Sequence, residues 1–80
     1  MLLPQCSIDQ QMDVLDAGFN AWKQAKGLRS ARVRAQNIFK RDLRVQKIAQ
    51  GDPDKTWFLL QIAHKVWQKL GGFEDAKDAA

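Results

Sequence analysis

The stretch that decides the fold is SIDQQMDVLDAGFNAWKQAKG, residues 7–27. Its large apolar side chains recur every three or four residues, which is the period of one stripe along an α-helix. They are Ile8, Met12, Leu15, Phe19 and Trp22. Ser7 and Gln10 match a capping box at the start, and Gly27 is placed to end the helix. Gly18 lies inside and weakens the helix by about 1 kcal/mol relative to alanine, unless a neighbouring helix packs closely there.

Two further helices follow from similar signals. The second is predicted to start at Leu28 or Ser30 and to run to about Gln50, with an apolar side repeating at roughly 100° per residue. Gly51–Pro53 then stops one helix and starts the next, because glycine closes a helix, aspartate caps one and proline suits its first position. The third helix is predicted over 53–70 and ends at two glycines.

These elements predict an all-α fold, since no segment alternates as a strand does. Short loops at Gly27 and Gly51–Pro53 imply antiparallel neighbours, and hence a small three-helix bundle. The rival architecture is an extended pair of helices that closes only by dimerising. We divide the chain into a flexible N-terminus, 1–6, a single three-helix domain, 7–72, and a frayed acidic tail, 73–80.

Composition limits the class of protein. Eighty residues make one small domain, so packing must be efficient or a partner must contribute. Cys6 is the single cysteine, which excludes an internal disulfide, and no Cys/His set is spaced for zinc. No apolar run approaches the length of a membrane span, and the apolar N-terminal residues 1–4 are too few for a signal peptide. We therefore expect a cytoplasmic protein with no membrane partner and no metal.

Charge is segregated along the chain. Residues 1–22 carry three aspartates and no base, a net −3. Residues 23–47 carry nine bases and one aspartate, a net +8, and residues 48–80 carry four lysines and five acids, a net −1. The three segments sum to the overall +4. Such an electropositive block indicates the kind of partner rather than the fold.

The basic residues of helix two form the first candidate site. Lys and Arg neutralise phosphates, while Asn and Gln pair with base edges. The candidate residues for binding nucleic acid or an acidic partner are Arg29, Arg32, Arg34, Gln36, Asn37, Lys40, Arg41, Arg44 and Lys47. Two other interpretations stay open: a merely solvated face, and docking on an acidic protein surface. A helix-turn-helix motif is not supported, because helix two is about twice as long as a recognition helix.

Helix three carries a core stripe and a second, aromatic one. The predicted core residues are Leu59, Ile62, Ala63, Val66 and Leu70. The second stripe, a candidate protein interface, consists of Trp57, Leu60, His64 and Trp67. Tryptophan is a common anchor of interfaces. The alternative is that both tryptophans wrap over the core.

Other polar residues favour structural roles over catalytic ones. Asp42 projects toward the apolar side of helix two and needs a partner; a position at a helix boundary is favoured over a catalytic one. Asp9, Asp13 and Asp16 share one helix face, where solvation or pairing with helix two is favoured over binding a cation. His64 has no nucleophile or carboxylate pair near it in sequence.

The sequence thus predicts a non-enzymatic protein without cofactor or small-molecule substrate, because no catalytic or nucleotide-binding motif is present. The first hypothesis is a regulator whose basic helix two binds a polyanion, either nucleic acid or a nucleoprotein complex. The alternative is an antagonist or adaptor of the kind phages and plasmids encode. It would inhibit a host complex by docking through the aromatic face of helix three and the basic face, or bind a second copy of itself.

Overall fold

A computed structural model of the chain describes residues 7–73, which contain four α-helices and no strand. They are α1 (Ile8–Ala25), α2 (Ala31–Arg41), α3 (Leu43–Ala49) and α4 (Pro53–Lys69). The all-α prediction is confirmed, whereas the prediction of three helices is wrong, because the second is divided in two. The predictions for residues 1–6 and 74–80 lie outside the described residues. None of the helices in 7–73 combines the length and hydropathy needed to cross a membrane.

The break between α2 and α3 is made by Asp42. Its backbone is extended, with φ −62° and ψ 128°, and its carboxylate caps α3 by accepting the backbone N–H of Arg44 at 2.9 Å. In an unbroken helix Phe39 and Val45, six residues apart, would point about 120° from each other. The break allows both side chains to be buried in one core. Asp42 therefore lies at a helix boundary, which is the position that the sequence favoured for it.

The start of α1 follows the sequence prediction. Ser7 Oγ accepts the backbone N–H of Gln10 at 3.1 Å, and Gln10 Oε1 accepts the backbone N–H of Ser7 at 3.0 Å. At the other end Gly27 follows the cap with φ +83°, a conformation that glycine adopts without strain. Together these contacts confirm the capping box and the closing glycine.

Most of the apolar stripe that predicted α1 does not face the core, although its last member, Trp22, packs partly against it. The buried side of this helix is instead made of Val14 and small residues, which are Ala17, Gly18, Ala21 and Ala25. α4 packs directly against Gly18, since a Cβ placed there would lie in van der Waals contact, 3.4 Å, with Cβ of Ala63. The indole N–H of Trp67 donates to the carbonyl of Gly18 at 2.7 Å. A close neighbour thus offsets the helix-weakening effect of this glycine.

Contacts with α4 set the direction of the helices. Gly18 of α1 contacts Ala63 and Trp67, and further along the indole N–H of Trp22 donates to the carbonyl of Gly72 at 3.0 Å. Later residues of α1 therefore meet later residues of α4, so the two helices are parallel. Between α2 and α4 the order is reversed, because Arg32 shares a hollow with Gln68 whereas Lys40 shares one with Trp57, so these two helices are antiparallel.

The core side of α4 differs from the predicted stripe. Leu59 and Ala63 are buried as predicted, but Leu60 and Trp67 are buried as well, whereas Leu70 is exposed. Phe73, predicted to begin the frayed tail, packs its ring against Trp67 with 5.4 Å between centroids. The packed part of the chain therefore includes Phe73.

Candidate functional site

A groove between α2 and α4 brings together residues from both predicted sites. Its volume is about 510 Å³, and it opens to solvent. It is lined by Gln36, Lys40, Gly51, Pro53, Thr56, Trp57, Leu60 and His64. No carboxylate occurs among these lining residues, so the groove has a positive and apolar character.

The α2 wall of the groove arises from a spacing of four residues. Arg32, Gln36 and Lys40 recur at this spacing, so they form one row along the helix. Gln36 and Lys40 line the groove itself. Arg32 lines a smaller adjoining hollow of about 210 Å³, whose wall also includes His64.

The α4 wall presents an exposed tryptophan above a buried floor. Trp57 is 58% exposed, whereas Leu60 beside it is buried. Nε2 of the Gln36 amide and Nε2 of His64 lie 3.2 Å apart in a hydrogen bond that joins the two walls. The amide nitrogen is the donor when His64 is neutral with its proton on Nδ1. Burial, followed by the nearby charge of Arg32, lowers the pKa of His64 and favours the same neutral form.

Trp67, predicted at the interface, belongs to the core. Only 2% of its surface is exposed, and its ring meets Phe39 edge-on with 6.3 Å between centroids. Its indole N–H donates to the backbone carbonyl of Gly18. Of the predicted aromatic stripe, Trp57, Leu60 and His64 thus line the groove, whereas Trp67 lines the adjoining hollow and contacts the ring of His64.

The structure divides the predicted basic face. Arg34 and Arg41 lie about 100° or more around α2 from Lys40, with exposed Asn37 beside them. Nε of Arg34 donates to the carbonyl of Arg29 at 2.7 Å. Lys47 lies on α3, which Asp42 separates from α2. The predicted face is therefore several surfaces, of which only the row beginning at Arg32 borders the groove.

Arg44 is held by an ion pair. Its guanidinium donates to both carboxylate oxygens of Asp42, from Nε at 3.0 Å and from Nη2 at 2.8 Å. This hydrogen bonding lowers the pKa of Asp42 and raises the pKa of Arg44, to which the charges of Asp13 and Asp16 also contribute. Asp13 and Asp16 thus act on Arg44 through their charge, whereas the ion pair that Arg44 forms among the described residues is with Asp42.

Some groove residues were not predicted. Pro53 and Thr56 line it only because α4 starts beside the C-terminal end of α2. The available signal was the short Gly51–Pro53 connection, which forces the first turn of α4 against the preceding helices. Within residues 7–73 no group of three His, Cys, Asp or Glu side chains is arranged to hold a metal ion.

Comparisons of the chain with protein-family models, with curated proteins and with solved structures each found no match. What this chain does must therefore be inferred from its own residues.

Proposed function

We propose that this chain is a small, non-enzymatic regulator that binds nucleic acid in the groove between α2 and α4. The observation that carries the proposal is the position of exposed Trp57 and cationic Lys40 in one groove without a lining carboxylate. Proteins that hold single strands combine a positive groove with aromatic rings on which bases stack. In this proposal Trp57 stacks on a base, while Lys40 and Arg32 bind phosphates.

The geometry of α2 supports a short strand as the ligand. Arg32 and Lys40 are eight residues apart, so they are separated by roughly 12 Å along the helix axis. Gln36 lies between them but is bonded to His64, which leaves its amide oxygen to accept from a base. The cations thus bind the backbone, and the polar residue between them supplies a modest preference for bases.

The test is a titration of labelled single-stranded DNA, single-stranded RNA and duplexes by fluorescence anisotropy at 50 and 200 mM salt. Lys40→Gln should weaken binding and reduce the slope of log K against log salt by about one, since one phosphate contact is lost. Trp57→Ala should weaken it by about 1–3 kcal/mol, the value of one stacked base. Arg41→Gln is the matched control, because Arg41 lies on α2 outside the groove.

Equal effects of Lys40→Gln and Arg41→Gln would contradict binding in the groove and favour a diffuse basic face. Absence of binding at 50 mM salt would contradict the proposal as a whole.

The second candidate function is an antagonist or adaptor that docks on a protein. It is favoured by the exposure of Trp57 above the apolar floor at Leu60, an arrangement typical of interface anchors. A partner held in this way would be lost in Trp57→Ala, with little dependence on salt. The salt dependence of binding therefore separates the two functions.

A further inference from the structure

We propose that His64, when protonated, is a third phosphate-binding cation of the groove, so that the binding of nucleic acid strengthens as the pH falls. The inference rests on the proposed function, since it concerns the same ligand in the same groove. His64 is the single histidine of the chain. Histidine is the side chain that ordinarily changes its charge between about pH 5 and 8.

His64 lies between the two cations that are proposed to bind phosphates. It lines both the groove, which Lys40 also lines, and the adjoining hollow, which Arg32 also lines. Its hydrogen-bond partner Gln36 is four residues from each of these cations, so the imidazole ring stands opposite the middle of the α2 row. A strand that contacts both Arg32 and Lys40 therefore passes this ring.

The charges around His64 favour a neutral ring in the free chain. The charged side chains that line its two cavities are Arg32 and Lys40 of α2, both positive, and the other lining side chains are neutral. On α4 itself Lys65 is adjacent in sequence, but it is exposed and lies about 100° around the helix. Burial, and then the charge of Arg32, lower the pKa of His64.

A bound strand reverses this balance. Phosphates at Arg32 and Lys40 offset the positive charges and bring negative charge close to the ring, which favours the imidazolium. Because binding makes protonation easier, protonation must strengthen binding by the same factor. The affinity should therefore rise as the pH falls through the pKa of His64 in the complex, and become constant below the pKa in the free chain.

The hydrogen bond to Gln36 transmits the same change to the α2 wall. Neutral His64 with its proton on Nδ1 accepts from the amide nitrogen, whereas the imidazolium carries a proton on both nitrogens and only donates. The contact at 3.2 Å is then kept only if the amide turns and its oxygen accepts. A turned amide presents its N–H groups to the groove, where they donate to a phosphate or a base. Protonation thus suits both walls to an anionic strand.

The first test is a titration of labelled oligothymidylate with the full chain, by fluorescence anisotropy at constant ionic strength from pH 7.5 to pH 5. Thymine has no group that titrates in this range, so a change in affinity comes from the protein. The affinity should rise about fivefold toward low pH, the effect of two unit charges about 4 Å apart in a water-like dielectric. His64→Gln should bind with an affinity that does not change with pH, whatever its value. Circular dichroism checks that each chain stays folded.

The second test is proton NMR of the His64 ring, whose signals are identified at once because the chain has one histidine. The pKa of His64 should be higher in the complex with oligothymidylate than in the free chain. In the free chain Arg32→Gln should raise this pKa, because it removes a nearby positive charge. Arg34→Gln is the matched control, since Nε of Arg34 is bonded to the carbonyl of Arg29 on another side of α2, and it should leave the pKa unchanged.

The outcomes separate this inference from the proposed function. Binding at pH 7.5 that stays equally strong at pH 5 would overturn the inference and leave the proposed function standing. The same pH dependence in His64→Gln as in the unchanged chain, or an equal pKa of His64 in the free and bound chain, would also overturn the inference alone. Failure to bind oligothymidylate and other nucleic acids at every pH would overturn both.

Discussion

Helices α1 and α4 bury opposite kinds of side chain. α4 buries large residues, among them Leu59, Leu60 and Trp67, and α1 buries Val14 with glycine and alanines. Most large side chains of α1 face solvent instead, although Trp22 packs partly against the core. The small side of α1 and the large side of α4 fit together, because Gly18 packs against Ala63 and its carbonyl accepts the indole N–H of Trp67.

The difference shows that size, as well as polarity, decides which helix face is buried. Both faces of α1 are apolar enough to enter a core. Only the face with small residues lets α4 come close enough for the indole of Trp67 to reach a backbone carbonyl. Close packing brings many atoms of the two helices into van der Waals contact. The free energy gained in this way outweighs the free energy lost by leaving larger side chains of α1 exposed.

The largest effect is expected from Trp67, in contrast to Trp57 on the same helix. Trp67→Ala should lower the free energy of unfolding by about 3–5 kcal/mol, because it leaves a cavity in the core. Trp57→Ala should lower it by less than about 1 kcal/mol, since Trp57 is mostly exposed. Urea denaturation followed by circular dichroism measures both. Similar losses in the two variants would mean that Trp57 belongs to the core.

An intermediate effect is expected at the contact of α1 with α4. Gly18→Val should lower the free energy of unfolding by about 1–3 kcal/mol, because the added methyl groups would push α4 away. Asn20→Val is the matched control, an exposed position in the same helix, and should change stability by less than about 0.5 kcal/mol. Thermal and urea unfolding compare them. A neutral Gly18→Val would show that α1 tolerates a large residue on its buried face.

The smallest effect concerns pH and the groove side of α4. Burial and Arg32 lower the pKa of folded His64, so the unfolded chain binds the proton more tightly. Stability is then complete above the unfolded pKa, near 6.5, and falls as the pH drops from there toward the folded pKa. His64→Gln should remove this part of the pH dependence, as measured by urea midpoints between pH 5 and 8. If the urea midpoint of His64→Gln depends on pH as that of the unchanged chain does, other titratable groups cause this pH dependence.

Local signals predicted the helix ends but not the break. Ser7, Gly27 and Asp52 act at termini as expected, since capping involves residues only a few positions apart. Asp42 lacks the adjacent glycine or proline that marks the boundaries at Gly27 and Gly51–Pro53. Its break is favoured by burial of Phe39 and Val45 together, a condition that involves the whole core.

The sequence predicted which types of residue form the candidate site, but it did not predict how they are arranged. In the sequence, Arg32, Gln36 and Lys40 follow one another at intervals of four residues, which places them in one row of a helix. Trp57 can be recognised as an aromatic residue that does not belong to the predicted core stripe. The position of Lys40 and Trp57 in one groove, with Arg32 in the adjoining hollow, depends on α2 lying antiparallel to α4. The separation of Trp57 from Trp67 depends on the same packing, because both belong to one periodic stripe in sequence.

By itself the sequence determined the all-helical class, most helix ends and the concentration of positive charge in the middle of the chain. These properties depend on hydrogen bonds, caps and charges that act within a few residues. Tertiary structure alone decided which apolar face of α1 is buried, where helix two breaks and which cations border Trp57. Each of these outcomes depends on how closely two distant helices can approach, and that distance is determined by the shapes of side chains far apart in the chain.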